Sequence, residues 1–494
     1  MTALHRWSGL LGLLATAMVP LAGQGYRVRL DSRLESVAWR GVAEDSIPAT
    51  DVIAQPDGGF LTPDGHAARC QGRTCFFYRA GAIQRGVPWV TRADVALWGL
   101  GVNGLSARVN VRLAHDLRGE EIVWPAAQPD LLLDEGYLEY ARRAITVRAG
   151  RQFLLGRLGA YGLDGGRVVL RSSGGWEVGG YAGWGLARGI AVPVTDPALN
   201  PLDDFQPRDR QVVAGVEAGW NGSRVDVHAE YRREIDPAVD YFVSERASAA
   251  LTLRPVSRIR LTSGGTYDLA FGQLGTADVA LSWLGPRVAV TVGGRHYRPF
   301  FNLWTIWGAF SPVAYQAWHG AVDITPVPTV TLHARGERYR FEDTETATPT
   351  VDVEDRGWRY TTGISWRATP RWTIDAGHQA EFGPGAAALG YDGRVTFRPT
   401  DALTVGAHAA RLRRPLELRF NDATVTSYGV DASYRPEAGW RFDLSGSTYH
   451  EDRDRPDAAA ISWDQVRLSA RFSFLIGSSA DRLPLPRAVR GARP

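Results

Sequence analysis

Alternating apolar and polar side chains limit more than any other feature how this chain can fold. In residues 224–232 the odd positions are apolar and the even positions are charged or polar, and residues 106–114 and 466–474 show the same two-residue period. Successive side chains of a β-strand point to opposite faces, whereas a helix would mix the two sets. The pattern therefore predicts strands with one apolar and one polar face.

The connections between the strands also alternate, from about residue 240 onward. Short turns are predicted at 255–258, 285–287, 326–329, 368–371, 399–401 and 436–439. Between them lie longer loops at 299–313, 342–356, 413–424 and 450–460, and two short connections near Gly272 and Gly383. Short turns at one end and longer loops at the other are typical of outer-membrane barrels. We therefore predict an all-β fold, a single antiparallel transmembrane barrel of about 22 strands (range roughly 18 to 26), with both termini periplasmic.

The hydropathy agrees with strands rather than membrane helices. The mean hydropathy of −0.20 resembles that of a soluble protein, but the alternating strands of a barrel also average to a mild value. Beyond the N-terminus, no stretch reaches the roughly 20 apolar residues that a membrane helix needs. Aromatic residues recur beside turns, as at Trp220, Trp283, Trp366 and Trp440, where interfacial girdles are expected.

The N-terminus predicts export. His5 and Arg6 precede an apolar run over residues 10–21, which ends at small residues near Ala22 and Gly23. This is the pattern of a cleaved signal peptide, with an uncleaved anchor as the alternative. We therefore divide the chain into a signal peptide (1–23), a barrel (24–476) with a long cysteine-containing loop (42–86), and a periplasmic C-terminal tail (477–494). The expected location is the cell outer membrane.

Charge and motifs exclude several other functions. The 56 basic residues are all arginine, and the net charge of +3 comes from dispersed charges of both signs, which argues against a nucleic-acid partner. The sequence holds no haem-attachment, zinc-protease, P-loop or hydrolase motif, and its ten histidines are scattered. We therefore predict no enzymatic activity, no cofactor and no metal.

Charged residues concentrate on the face opposite the apolar one, and such a face must meet water or be paired within the protein. Two interpretations stay open: a hydrated pore lined by both signs, or a lumen whose charges pair and conduct little. The candidate pore-lining residues are Arg108, Arg112, Glu135, Glu139, Arg148, Glu217, Arg224, Asp226, His228, Glu230, Arg232, Arg335, Glu337, Arg467 and Arg471.

Three loops are candidates for special roles. Cys70 and Cys75, the only cysteines, are expected to form a disulfide in an oxidising compartment, whereas His66 alone is too little for a zinc site. The loop 42–86 that holds them is either an inward-folded constriction or partial plug, or a surface loop pinned by the disulfide. The acidic segment 193–210 could hold a cation or be a solvated loop. The aromatic segment 296–310 could stack on a hydrophobic or sugar ligand, or extend the aromatic belt.

Two family resemblances follow from these residues. The segment 134–140 (DEGYLEY), followed by 145–152 (ITVRAGRQ), resembles a hairpin of porin-like barrels of the alginate-export type. That resemblance implies that Arg148 and Arg151 lie on or near the lumenal wall. The cysteine pair also resembles that of barrels in porin–cytochrome complexes, although its spacing differs. A TonB-dependent transporter, which uses about 22 strands, would need a plug domain before the barrel, whereas strand-like sequence starts near Tyr26.

These patterns support three hypotheses about function. The first is an outer-membrane channel for passive or substrate-biased passage of small polar solutes. The second is a structural sheath that holds a multihaem cytochrome or another periplasmic partner, and the third is an adhesin or receptor that uses the outer loops. Membrane lipid and the outer-membrane assembly machinery are expected partners in each case.

Overall fold

The computed structural model describes residues 25–55, 59–118, 131–186, 211–237, 241–298, 314–342, 355–383, 386–417, 421–453 and 463–478. The described chain is all-β. Its strands are β1 (Gly25–Pro48), β2 (Ile53–Ala54), β3 (Phe60–Leu61), β4 (Ala67–Gln71), β5 (Thr74–Gly86), β6 (Pro88–Trp98), β7 (Leu105–Asp116), β8 (Leu131–Ala141), β9 (Ile145–Gly156), β10 (Gly159–Arg171), β11 (Trp176–Gly185), β12 (Val212–Asn221), β13 (Val225–Asp236), β14 (Tyr241–Val256), β15 (Ile259–Asp268), β16 (Gln273–Leu284), β17 (Val288–Tyr297), β18 (Tyr315–Val327), β19 (Val330–Phe341), β20 (Arg356–Thr369), β21 (Trp372–Gly383), β22 (Ala386–Phe397), β23 (Leu403–Glu417), β24 (Asn421–Tyr434), β25 (Trp440–Arg453) and β26 (Trp463–Gly477).

The sheet closes on itself as a 22-stranded antiparallel barrel. From β6 to β26 each strand pairs with the next, and β1 closes the ring by pairing with β6 on one side and β26 on the other. The closing ladder runs from Arg27 opposite Gly477 to Trp39 opposite Gln465. Closure removes the exposed edges that an open sheet of this size would present. The predicted fold class and strand number are confirmed.

The two ends of the barrel differ in the way that the turn pattern predicts. At one end, which we call the short-turn end, the predicted tight turns are found at 257–258, 285–287, 328–329, 370–371, 398–402 and 435–439. Both β1 and β26 have their outer termini, Gly25 and Gly477, at this end. The opposite, long-loop end carries the connections 298–314, 342–355 and 454–462, while the predicted loop 413–424 proves to be mostly strand.

The region 42–86 is largely β-structure rather than an irregular loop. β1 runs on past the wall and pairs with β5 from Arg40 to Pro48, forming a disulfide arm (residues 40–83) at the long-loop end. The short strands β2, β3 and β4 complete it, and the predicted Cys70–Cys75 disulfide is confirmed at its tip. The described residues of the arm make their extensive contacts with β1 and with one another in β2–β5. They therefore give no support to the interpretation of this region as a constriction.

The predicted signal peptide (1–23) and most of the predicted tail (477–494) lie outside the described residues, as do the acidic segment 193–210 and residues 299–310 of the aromatic segment. Among the residues that the structure does describe, no helix is long and apolar enough to cross a membrane.

Candidate functional site in the barrel interior

Contacts between strands that are not neighbours identify the inner face of the wall. Arg157, in the turn between β9 and β10, forms an ion pair with Asp278 of β16. The guanidinium carbon of Arg232 in β13 lies 4.9 Å from the ring centre of Tyr161 in β10. Strands so far apart in a closed sheet meet through the interior, so Arg232 and Asp278 mark the inner face. The exposed side chain of Val227 lies on the opposite, outer face of β13.

The contacts of Arg157 and Tyr161 arise because the tip of the β9–β10 hairpin leaves the wall. The β8–β9 ladder ends at Arg151, and the β10–β11 ladder begins at Leu163. Between these points, residues 153–162 have strand partners only within the hairpin, from Phe153 opposite Gly162 to Gly156 opposite Gly159. The carbonyl oxygen of Gly162 also accepts a hydrogen bond from Leu186 N, beyond the end of β11. We call residues 152–162 the inner hairpin.

Three glycines in one register row mark the level at which the hairpin departs. Gly150, Gly165 and Gly183 lie opposite one another on β9, β10 and β11. Gly150 has a φ of +125°, in the region that side chains disfavour. A Cβ on Gly165 would collide with the backbone of Ala182, and one on Gly183 with the carbonyl oxygen of Asp164. Only glycine allows the three backbones to approach so closely here.

Arg151 compensates for the partner that β8 loses at this level. Its Nη1 donates to the carbonyl oxygen of Leu133 at 3.0 Å, and its Nε donates to Asp164 Oδ1 at 2.7 Å. The hydrogen bond gives the Leu133 carbonyl oxygen a donor in place of the strand partner that has turned away. An unpaired backbone carbonyl group would be costly here. Arg151 therefore closes the gap in the wall. The resemblance implied a lumenal position for both Arg148 and Arg151, and it is Arg148 that pairs with Glu139 on the charged face.

Apolar packing holds the inner hairpin against β11 and β12. Leu154 and Leu163 form a buried cluster with Tyr181 and Val213, and the ring of Tyr161 packs against it. Burying such side chains stabilises by about 1.5–3 kcal/mol each. The hairpin is therefore docked by a small hydrophobic core of its own inside the barrel.

Charged groups complete the docking surface on β13 and β14. Glu230 and Arg232 are 5% and 1% exposed, and Arg232 Nη2 donates to Glu230 Oε1 at 2.9 Å. Tyr181 Oη donates to the same oxygen at 2.8 Å. Glu234 is 3% exposed, and its Oε1 lies 3.7 Å from Arg246 Nη2. Two of the candidate pore-lining residues, Glu230 and Arg232, therefore lie beneath the inner hairpin rather than against open space.

The end of the inner hairpin reaches the wall at β15 and β16. Besides its ion pair with Asp278, the Arg157 guanidinium lies where a side chain on Gly264 would be, 2.6 Å from an ideal Cβ there. Leu158 beside it is buried. The hairpin thus spans the interior from β10 to β16. The contacts described here place it against β11–β16.

The wall formed by β17–β21 carries a more exposed network. Glu337 Oε2 accepts from Arg295 Nη2 at 2.7 Å, and Glu337 Oε1 accepts from Arg359 Nη2 at the same distance. Arg359 Nη1 lies 3.6 Å from Glu381, which also accepts from Tyr339 Oη at 3.2 Å. Two carboxylates and two guanidinium groups thus alternate across neighbouring strands. Glu337 alone in this network was expected from the sequence, because it occurs in a clearly alternating segment.

Most of the remaining candidates form ion pairs, five of them with acids or arginines that the sequence analysis did not name. Glu135 is shared with Arg108, whose main partner is Asp94 at 2.6 Å. Charge pairing therefore dominates the face on which we expected the candidates. The further pairs are Arg148–Glu139 at 2.5 Å, Arg167–Glu217 at 2.5 Å, Arg254–Asp226 at 2.6 Å, Arg467–Glu35 at 2.6 Å and Arg471–Asp31 at 2.5 Å.

Three candidates outside these ion pairs are exposed. Arg224 lies in the turn between β12 and β13. His228 borders a small depression with Asp226, Glu177 and Thr252 near the short-turn end. Arg335 shares the inner face of β19 with Glu337 and has no ion pair among the described residues. Arg112 lies on the inner face of β7, two residues after Asn110.

The described residues contain no group of three or more His, Cys, Asp or Glu side chains arranged to hold a metal ion. The cysteines are joined to each other.

The inner hairpin itself was not expected from the sequence. Its turn is as short as those at the opposite end, so loop length gives no sign of it. One local signal exists: Phe153, Leu154 and Leu155 are three consecutive apolar residues, which break the two-residue period of β9. The nearby glycines 150, 156, 159 and 162 are a second sign, because glycine in a strand often marks a bend.

No protein family and no curated protein matches the chain by sequence. Among solved structures, it is similar to a mutant of the ferric enterobactin receptor PfeA from Pseudomonas aeruginosa, with 9% identity, a TM-score of 0.50, and coverage of 90% of this chain and 80% of that chain. It is also similar to the copper transporter OprC (12%, 0.44, 90% and 80%) and to OccK2 of Pseudomonas aeruginosa (10%, 0.39, 91% and 98%). The likeness to the receptor supports the barrel fold alone, because one fold serves many functions, and the lower two scores add nothing to it.

Proposed function

We propose that this protein is an outer-membrane channel for small polar solutes, with the inner hairpin as its constriction. The observation that carries the proposal is the contrast between the two faces of one closed wall. The outer face presents exposed residues such as Leu281, Val430 and Leu444, whereas the inner face carries the ion pairs. Such a wall suits hydrocarbon outside and water inside.

The same geometry supports an orientation. The first residue of β1 and the last residue of β26 lie at the same end of the barrel as the short turns. Outer-membrane barrels have their short turns in the periplasm. We therefore propose that the short-turn end is periplasmic and the long-loop end, with the disulfide arm, is extracellular. In this orientation the inner hairpin would meet solutes that enter from outside.

The candidate residues then have two different roles. Glu230 and Arg232 would hold the constriction in place, because they are buried beneath it. Arg335, Glu337, Arg359 and Glu381 would line the open part of the lumen, because they are on a wall that the hairpin does not cover. Solutes with both positive and negative groups would find partners there, since the network offers both signs.

The sheath alternative finds no support among the described residues. A multihaem cytochrome would need the interior of the barrel, and the inner hairpin takes up part of that space. No arrangement in the described chain favours an enzymatic role either, and we propose none.

Planar-bilayer conductance of the purified chain tests the channel. We expect stable ohmic steps from the wild type and larger steps from Arg157→Ser, because loss of the Arg157–Asp278 pair frees the tip of the inner hairpin. The charge-reversed pair Arg157→Asp with Asp278→Arg should restore the smaller steps. If neither the wild type nor Arg157→Ser conducts, although both are folded, the channel proposal is wrong. A multihaem cytochrome that co-purifies with a non-conducting barrel would favour the sheath.

A further inference from the structure

The outer face of β18–β24 differs from the inner face of the same strands in the sign of its charges. Taking the face from Leu332 on β19 and Val405 on β23, whose side chains are exposed, the strict alternation assigns every residue of these strands to one side. Among the strand residues whose side chains the structure describes, the charged ones on the outer side are all arginine: Arg338, Arg340, Arg356, Arg411 and Arg413. The inner side of the same strands carries both signs, as the Glu337–Arg359 and Arg394–Asp431 pairs show.

These outward arginines belong to the halves of the strands nearer the long-loop end. Arg338 and Arg340 are in the last four residues of β19, and Arg356 is the first residue of β20. Arg411 follows in the second half of β23. The short-turn halves of β18–β24 carry on their outer side no charged residue in the described strands, and aromatic residues such as Trp366 and Trp372 are found there instead.

Two of the arginines lie among exposed aromatic rings. Arg338 has Trp318 directly opposite on β18 and Trp358 directly opposite on β20, and the two tryptophans are 76% and 46% exposed. Arg411 is directly opposite Tyr391 on β22, which is also exposed. These are positions at which a barrel contacts lipid near the membrane surface.

The arginines of this surface differ in their acidic partners. Arg340 and Arg356 share Asp355, which immediately precedes β20. For Arg338 and Arg411, the described residues include no ion pair or hydrogen bond to a side chain. A guanidinium group that faces lipid without a counter-charge is costly, so it extends toward the headgroup layer, where anionic groups can pair with it.

We infer that the outer face of β18–β24, centred on Arg338 and Arg411, binds phosphate-bearing lipid headgroups of the leaflet at the long-loop end. The inference rests on the proposed membrane location. Arginine presents a planar fork that matches phosphate oxygens in a bidentate way, and the flanking indoles of Trp318 and Trp358 suit the boundary between headgroups and acyl chains. The basic surface would therefore hold polyanionic lipid at one sector of the barrel rather than evenly around it.

Native mass spectrometry of the full chain in detergent tests the inference, with diphosphoryl lipid A as the titrated probe and monophosphoryl lipid A as its comparison. We expect the wild type to bind the diphosphoryl form more tightly. The double variant Arg338→Gln with Arg411→Gln should weaken that binding by about fivefold for each arginine removed. Inorganic phosphate at millimolar concentration should not displace the lipid, because the acyl chains contribute to binding; displacement would assign the site to free phosphate and overturn the lipid inference.

Arg335→Gln provides the matched control, since Arg335 lies on the same strand as Arg338 but on the inner face. This variant should bind lipid A as the wild type does and should alter single-channel conductance. The Arg338→Gln with Arg411→Gln variant should bind lipid A less tightly than the wild type and should leave single-channel conductance unchanged. Equal lipid binding by the wild type and the double variant, or an equal loss in Arg335→Gln, would overturn the inference while leaving the channel proposal to its own conductance test.

Discussion

The interior of this barrel contains two walls that use the same kinds of side chain in different surroundings. On β13, Arg232 is 1% exposed beneath the inner hairpin and pairs with Glu230, which is also buried. On β20, the side chain of Arg359 is 38% exposed and pairs with Glu337. Both arginines lie on the inner faces of their strands, although the sequence analysis named Arg232 alone as a candidate pore-lining residue. The difference between them comes from the inner hairpin, which covers one wall and leaves the other open.

Burial changes what an ion pair contributes. Removing one partner of a buried pair leaves an uncompensated charge in a medium of low polarity, which costs about 3–5 kcal/mol. An exposed pair is screened by water, and its loss costs about 0–1 kcal/mol. We therefore regard the covered wall as a structural element and the open wall as the part that meets solutes.

The largest effect should come from Arg232→Ala, which removes the guanidinium group that pairs with the buried Glu230 carboxylate and leaves Arg246 as the cation beside Glu234. We expect the free energy of unfolding to fall by about 3–5 kcal/mol, as measured by urea unfolding of the barrel in lipid vesicles. Arg359→Ala is the matched control on the open wall and should lower it by about 1 kcal/mol or less. Equal losses in the two variants would show that the inner hairpin does not shield its wall from water.

A smaller loss is expected from Gly165→Val, which tests whether the glycine row allows the hairpin to turn inward. The new side chain would collide with the backbone of β11 at Ala182, and overpacking of this kind costs about 1–3 kcal/mol. Gly336→Val is the control, because an ideal Cβ at Gly336 meets no atom within 4 Å. The same urea titration should separate the two variants, and indistinguishable midpoints would contradict the proposed role of the row.

The barrel could be predicted from the sequence, but its covered and open walls could not be distinguished there. The strand number and the short turns follow from a local, repeated pattern, since the side-chain period of a strand is fixed by its backbone. Which inward charges are covered depends instead on a contact between residues 157 and 278, far apart along the chain. Alternation placed Glu230 and Glu337 on equivalent faces, and only the path of the hairpin shows that one is buried against it.

The residue pairs were beyond prediction for a related reason. Glu217 pairs with Arg167 of β10 although β11 lies between their strands, because Gly179 leaves the space through which they meet. A pattern of single positions does not report such a contact across an intervening strand. The Cys70–Cys75 disulfide was predictable because both of its partners are close in sequence and are the only cysteines present.

Arg359→Gln tests the difference between the covered and open walls by its effect on ion selectivity rather than on stability. Loss of its charge leaves Glu337 paired with Arg295 but makes the open wall more negative, so we expect reversal potentials in a salt gradient to shift toward cation preference. Arg232→Met, which is better tolerated than alanine at a packed site because it keeps more of the side-chain volume, should leave the reversal potential unchanged in whatever folded protein remains. A shift of the same size in both variants would mean that the covered wall is also in contact with the conducted ions.

The smallest effect on the barrel should follow from Cys70→Ser with Cys75→Ser, because the disulfide lies on the arm beyond both walls. Closing a loop this short constrains the unfolded chain by about 2 kcal/mol, yet the constraint acts on β4 and β5 at the tip and not on the closing ladder between β1 and β26. Limited proteolysis should therefore cut the arm of the double variant faster, while its urea midpoint and conductance match the wild type. A changed conductance would place the arm, and not the inner hairpin alone, in the path of the solute, and would bring the constriction interpretation of residues 42–86 back into consideration.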